Sequence, residues 1–349
     1  MQDELENLPE EGVEELYERR SFRIDKGQEP LRLDKWLHIH MEGVTRNKLQ
    51  QAIDAGFVTV NGQKEKSNYK VRPGDELMVM SVINPEYTEV KPEAIALNVV
   101  YEDDDVLVID KAANMVVHPG VGNYTGTLLN GVLHHLMQGR PDLTEDTLPR
   151  YGLVHRIDKN TTGLIVFAKT ANAAAHLAKQ FFNHAVRRTY TALVWGNMET
   201  DEGTIRAHIA RHERFRKMFA AYPDGERGKH AVTHYKVLER FNYVTLVECR
   251  LETGRTHQIR VHMKHIGHTL FNDFEYGGDR ILKGTVYTRY KQFVDNCFAI
   301  CNRCALHATT LGFTHPTTGK ELLFESALPR DIEGVIEKWR SYVKYKALE

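Results

Sequence analysis

The stretch from Gly152 to Thr170, GLVHRIDKNTTGLIVFAKT, constrains this chain more than any other. Leu164, Ile165, Val166, Phe167 and Ala168 form a short apolar run bounded by Gly163 and Lys169, the pattern of a buried strand. Ahead of it, His155, Arg156, Asp158, Lys159, Asn160, Thr161 and Thr162 put seven hydrogen-bonding or charged groups into eight positions. In the plainer reading this is a solvated loop before a core strand. In the sharper one, a rigid scaffold presents reactive groups on a loop set against the core. Spacing alone leaves both open.

HRIDKNTTG resembles the signature of the RluA-type RNA pseudouridine synthases, an H-R-L/I-D loop followed by T-S/T-G. RRTYTALVWG, LETGRTHQIRVH and the R-x-A-L-H-A run from Arg303 to Ala308 are similar to further blocks of that family, and the resemblance spans roughly Leu31 to Pro329. It implies an α+β fold on a mixed, largely antiparallel central sheet. It also implies a chemistry: the glycosidic bond of a uridine in RNA is cleaved, the uracil turns, and it is rejoined through carbon 5, with no metal and no organic cofactor.

The resemblance assigns the site residue by residue. Asp158 would be the catalytic aspartate. Arg255, in Gly254-Arg255-Thr256, would be the arginine that holds it, since an opposite charge keeps a carboxylate ionised. Tyr190 would stack on the uracil and take part in proton transfer; otherwise it is a strand residue packing on one face. The target base must leave its stack to be reached, and Arg156 would fill the vacated space or hold the flipped nucleotide. His155 would support the RNA-facing loop by hydrogen bonding. One departure stands out: in FNDFEYGGD, Asn272 occupies a position where the family commonly has glycine.

Residues Leu31 to Met80 read as a small α+β module. Leu33, Trp36, Leu37 and Met41 recur at helical spacing, and Thr45 can cap a second helix that stops at Gly56. FVTV, the Asn61-Gly62 turn and a lysine-rich return make a hairpin, and Arg72-Pro73-Gly74-Asp75 leads into a last strand. The module resembles the S4 RNA-binding domain. Arg46 and Lys48, in the first turn of the second helix, are its candidate phosphate contacts. The expected division is an acidic, disordered leader over 1–22, the S4-like domain over 23–80, a linker over 81–93 and the catalytic domain over 94–349.

Further along, short strands are expected at Val106–Asp110 and Met115–Val117, and helices at Thr127–Leu136, Ala171–His184 and about His257–Ile266. Strands are expected at Arg188–Trp195, His234–Glu239 and Tyr243–Leu251. From Gly203 to Lys236, eight bases face three acids, with Phe215, Phe219 and Tyr222 interleaved. This is either a charged surface hairpin or an RNA-contacting arm; Arg211, Arg216 and Lys217 are its candidate contacts. Asp331 is placed to cap a final helix whose apolar face is Ile332, Val335, Ile336, Trp339 and Val343.

Charge supports RNA as partner once its distribution is read. The net charge is −1, but residues 1–20 carry −6 and the remainder +5, an acidic leader on a basic body. His262, His265 and His268 recur by three, and Cys301 and Cys304 form a lone C-x-x-C. Neither alone makes a metal site, and no metal is expected. No apolar run spans a bilayer and the N-terminus lacks a signal's apolar core, while four cysteines suit a reducing compartment. A cytoplasmic, monomeric enzyme is expected, converting uridines of structured RNA, the large-subunit ribosomal RNA above all. Two other classes remain open: a catalytically silent RNA-binding or ribosome-assembly factor, and a hydrolase working with two carboxylates.

Overall fold

The computed structural model describes residues 18–41, 46–54, 58–81, 90–120, 122–215 and 218–346. The chain divides into two compact units: residues up to Val90 with Gly120–Tyr124, and Lys91–Pro119 with Thr125 onward.

The first unit contains β1 (Glu18–Arg23), β2 (Leu31–Arg32), α1 (Leu33–His40), α2 (Arg46–Asp54), β3 (Val58–Val60), β4 (Gln63–Lys64), β5 (Lys70–Val71) and β6 (Glu76–Ser81). One sheet has the order β1-β6-β3-β4, and β2 pairs with β5. Leu33, Trp36 and Leu37 of α1 pack with Leu49 and Ile53 of α2 and with Val58, Val60, Val71, Leu77 and Val79. Asn61 and Gly62 both have positive φ, as a two-residue hairpin turn requires. Of the expected leader, residues 1–17 lie outside the described residues, and Glu18–Arg23 is a strand paired with β6. Thr45, Gly56 and residues 82–89 of the expected linker also lie outside them.

The second unit is built on a ten-stranded sheet. Its strands are β7 (Val99–Glu102), β8 (Val106–Lys111), β9 (Thr162–Ala168), β10 (Arg187–Trp195), β11 (Glu202–Arg211), β12 (Phe219–Tyr222), β13 (Lys229–Arg240), β14 (Val244–Leu251), β15 (Leu306–Thr314) and β16 (Glu321–Glu325). The order is β12-β11-β13-β14-β10-β15-β9-β8-β7, with β16 on β15, and among the described residues only β15 and β9 pair in parallel. The sheet is therefore mixed and largely antiparallel. Every residue of β9 is buried, which is why its sequence is an unbroken apolar run rather than an alternation.

The helices are α3 (Leu128–Met137), α4 (Ala171–Phe182), α5 (Gln258–His265), α6 (Thr288–Ile300) and α7 (Arg330–Lys346). Among the described residues none is long and apolar enough to cross a membrane. The expected apolar face of α7 is observed: Ile332, Val335, Ile336 and Trp339 are buried among Leu193, Trp195, Phe271 and Val294. The helix begins at Arg330, so Asp331 lies inside its first turn rather than at the cap. Met115–Val117 is not a strand. The carbonyls of Val116 and Val117 instead accept the N–H groups of Leu128 and Leu129, satisfying donors that the start of α3 leaves open.

Candidate active site

Two glycines fix the loop that carries Asp158. At Gly152 (φ +77) a side chain would fall on the carbonyl oxygen of Ala168, and at Gly163 (φ +108) on that of Ala308. Backbone meets backbone at both points, so only glycine fits. The parallel pairing of β9 with β15 and the antiparallel pairing of β15 with β10 set Gly163, Ala308 and Tyr190 in one row across the sheet. Tyr190, remote in sequence, thereby comes level with the end of the Asp158 loop.

Two buried cations hold the loop from below. Lys111 donates its Nζ to the carbonyls of Ala112, Met115 and Lys159 at 2.8, 2.9 and 3.1 Å. Burial pushes its pKa down to about 7, and the Asp158 charge opposes that fall. Arg303 donates to the Asn160 carbonyl at 2.8 Å and is neutralised by Asp331 of α7 at 2.7 and 3.0 Å. Successive carbonyls after Asp158 are thus anchored by separate cations. His155 accepts the Val166 N–H through Nε2 at 3.0 Å and stacks on Phe181 at 4.4 Å. Burial, and then the Arg188 charge, push its pKa down to about 3. It is a neutral prop whose observed bond goes to the loop's own strand. Arg156 is exposed.

The arginine bonded to Asp158 is Arg260 of α5, not the expected Arg255. Its Nη1 donates to Asp158 Oδ2 at 3.2 Å. Its other two edges grip Asp273, through Nε at 2.7 Å and Nη2 at 2.8 Å, and Nη2 also meets Glu275. The guanidinium lies over the Tyr276 ring, 4.8 Å from the centroid, and the side chain is only 7% exposed. The Tyr276 hydroxyl accepts the Phe219 N–H at 3.1 Å and pairs with His257 Nδ1 at 2.8 Å. Asp158 itself is 23% exposed, open enough to meet a substrate. Arg255 sits in the turn before the helix, where its Nε donates to the His230 carbonyl at 3.2 Å. His257, at φ +55, turns the chain between the two arginines, which is why they serve different partners.

The departure at Asn272 has a physical account. It adopts φ +56, a region that asparagine tolerates better than other side-chain-bearing residues. Its Nδ2 donates to the Cys301 carbonyl at 2.6 Å, so it replaces a glycine with an anchored turn and leaves Asp273 aimed at Arg260. Cys301 and Cys304 are free and buried. Cys304 Sγ lies 3.6 Å from Asp273. His262 is bonded to Thr233 and His268 to the Trp195 carbonyl, so these two of the three histidines serve separate partners.

Tyr190 is buried on β10, and burial raises its phenol pKa; the ring carries a neutral hydroxyl. The basic arm is formed by β11 and β12. Arg211 lies over Phe219 at 5.2 Å, Arg214 over Phe215 at 6.0 Å and Arg227 over Tyr222 at 5.7 Å, and Phe215 is 54% exposed. Arg216 and Lys217 lie outside the described residues, as does the side chain of Lys48. Arg46 is engaged within its own unit: its Nε and Nη2 donate to the fully buried Asp34 at 3.0 and 2.8 Å, beside Arg32 and Gln50.

Sequence reading made Asp158 and Tyr190 candidates and met Asp273 and Arg303 only as members of matching blocks, and it passed over Lys111, Arg260, Glu275 and Tyr276. A signal for Arg260 existed: it stands amid the apolar residues of QIRVHM, a place where a cation needs a buried acid.

Residues 105–265 match the RNA pseudouridylate synthase family and residues 31–77 the S4 domain. The chain is 46% identical over 319 residues to a protein of Chlorobaculum parvum named as an RNA pseudouridine synthase, covering 91% of this chain and 97% of that one. It is 42% identical to the ribosomal large subunit pseudouridine synthase D of Nitrosomonas europaea, covering 89% and 85%. Among solved structures, human RNA pseudouridylate synthase domain containing 4 aligns over 70% of this chain and 93% of its own with a TM-score of 0.55 at 21% identity, a likeness of fold.

Proposed function

The chain belongs to the RNA pseudouridine synthase family and isomerises uridine to pseudouridine in RNA, and we propose that it does so in large-subunit ribosomal RNA through Asp158, held by Arg260. The observation that carries this reading is the 3.2 Å bond between a part-exposed carboxylate and an arginine whose other edges are occupied by Asp273 and Glu275. That guanidinium has one direction left in which to act, and it faces Asp158.

The reaction conserves atoms and oxidation state. The N1–C1′ bond breaks, a C5–C1′ bond forms, the proton on C5 is lost and N1 gains one. Asp158 acts at C1′, as nucleophile or as the charge that stabilises the separating sugar. Tyr190 packs on the uracil, and its neutral phenol is suited to exchanging a proton while the ring turns. Arg156 and the aromatic-basic arm from Arg211 onward bind phosphates and bases around the target, and the S4 unit binds RNA in its own right. Ribosomal RNA is favoured by the names of several relatives. The four free, buried cysteines fit a cytoplasmic enzyme, which we infer to be a monomer.

The test is a pseudouridine map of total ribosomal and transfer RNA from cells lacking the protein, complemented with wild type or Asp158→Asn. A site in large-subunit RNA that is lost and restored by wild type alone is expected. Restoration by Asp158→Asn would refute the role of the aspartate, and a site lost in transfer RNA would refute the substrate.

A further inference from the structure

Arg188 carries a charge that the described residues leave uncompensated. It is 8% exposed, and its Nε is buried with no hydrogen-bond partner. Its guanidinium lies over the Phe181 ring at 5.3 Å, and no hydrogen bond or ion pair to it occurs among the described residues. Buried arginines are otherwise found paired. The other buried arginines of this unit obey that rule: Arg260 has Asp158, Asp273 and Glu275, and Arg303 has Asp331.

Its surroundings are those of the reaction. Arg188 stands two residues before Tyr190 on β10, so both side chains leave the same face of the strand. A Cβ at Gly254 would lie 3.0 Å from Arg188 Nη1, so the glycine of the Gly254-Arg255-Thr256 turn keeps that edge of the fork uncovered. His155 shares the Phe181 ring with Arg188. Because His155 Nε2 accepts the Val166 N–H, its proton sits on Nδ1, and that atom too is buried without a partner. Two orphaned donors, one of them cationic, therefore share a ring beside Tyr190. A buried donor without an acceptor is costly, and a planar fork without an acid matches the two oxygens of a phosphate.

We propose that Arg188 binds the phosphodiester group adjoining the target uridine, with Gly254 giving the phosphate access and His155 bracing Phe181 behind it. This rests on the reading of Asp158 and Tyr190 as the centre where the uridine reacts. RNA offers one negative charge per nucleotide, so a flipped nucleotide brings its own counter-ion to the one this arginine lacks. The linkage held there fixes the sugar relative to Asp158, which makes Arg188 a specificity and positioning group for the nucleotide rather than a participant in bond exchange.

The experiment uses an RNA fragment carrying the mapped uridine, made with an uncharged methylphosphonate at its 5′ or its 3′ linkage. kcat/KM is measured for wild type, Arg188→Lys and Arg188→Gln, alongside each unfolding midpoint. Wild type should lose roughly 10- to 100-fold on one of the two neutral linkages, the range for a hydrogen bond to a charged group. Arg188→Gln should show that loss on the charged RNA and no further loss on the neutral one, with Arg188→Lys in between. Its unfolding midpoint should equal or exceed that of wild type, since the change removes an uncompensated buried charge. Losses that multiply at both linkages would overturn the proposal. So would a lowered midpoint with an unchanged rate, the mark of a packing residue. Failure of the underlying reading shows separately, as normal turnover of the charged RNA by Asp158→Asn.

Discussion

Exchanging each of two arginines for lysine separates the structure's account of the site from the one the motif suggests. Lysine keeps the charge of Arg260 but not its fork, so it cannot hold both oxygens of Asp273 and also reach Asp158. A hydrogen bond to a charged group contributes about 1.5–3 kcal/mol. If the Asp158 bond persists in the transition state, its loss slows the chemical step by roughly 10- to 100-fold. Asp273 keeps a neighbouring cation, so stability should fall by only about 1–2 kcal/mol, or roughly 2–8 °C in Tm for a unit of this size. Arg260→Ala would leave the buried Asp273 without its cation at about 3–5 kcal/mol, which makes lysine the cleaner probe. Arg255→Lys leaves the bond between Arg260 and Asp158 in place, and its saturating single-turnover rate should stay within about threefold of wild type, well inside 1 kcal/mol. The assay is release of tritium from RNA labelled at uridine C5, with enzyme in excess, beside thermal unfolding. The reasoning is refuted if Arg255→Lys slows as much as Arg260→Lys, or if Arg260→Lys reacts at the wild-type rate.

Three further outcomes follow from individual environments. His155 is neutral in the fold down to about pH 3 against an ordinary value of 6.5, so the unfolded chain takes up the proton first. Its contribution to stability is complete above about pH 6.5 and is lost as pH falls toward 3, at up to about 1.4 kcal/mol per pH unit; urea unfolding should show His155→Gln with a shallower acid limb, and parallel limbs would count against it. Burial pushes the thiol pKa values of Cys249, Cys297 and Cys301 up to about 12 and raises that of Cys304 well above its ordinary value, so the native enzyme should resist a thiol reagent at pH 8 until denaturant is added; rapid labelling of Cys304 in the folded enzyme would contradict its placement. Arg46→Ala should lower the stability of the first unit by about 1–3 kcal/mol, because it removes one partner of buried Asp34; weakened RNA binding with an unchanged melt would instead restore the phosphate role that its helix position suggested.

What the sequence made legible was local. β9 announced itself as an apolar run between glycine and lysine, the Asn61-Gly62 turn by its residue types, and α7 by the spacing of Ile332, Val335, Ile336 and Trp339. Asp158 and Tyr190 became candidates because each stands in a dense motif. Long-range pairing was hidden. Arg255 and Arg260 lie five positions apart in one block, and choosing between them requires knowing that His257 turns the chain and that Asp273 returns against α5. Lys111 looked like an ordinary strand end, since nothing nearby in sequence says that its ammonium reaches the Lys159 carbonyl. Arg303 was visible as the start of the R-x-A-L-H-A block, but nothing near it in sequence says that it joins the Asn160 carbonyl to Asp331 of α7.

The charge balance around Arg260 also decides which variant can test the chemistry. Removing a carboxylate from a buried ion pair normally strands the cation at several kcal/mol, and the resulting inactivity could reflect unfolding. Here Asp273 holds the guanidinium by two edges and Glu275 adds a third contact, so Asp158→Asn leaves Arg260 neutralised. The asparagine amide fills the same space, and its oxygen can still accept from Nη1 at the position of Oδ2. Lys111 and Arg303 continue to hold the carbonyls of Lys159 and Asn160, because neither bond involves the Asp158 side chain. Asp158→Asn should therefore melt within about 1 kcal/mol of wild type and bind RNA with unchanged affinity, while making no pseudouridine. A protein that melts far lower would show that Asp158 is a structural counter-ion, and its lost turnover would say nothing about catalysis.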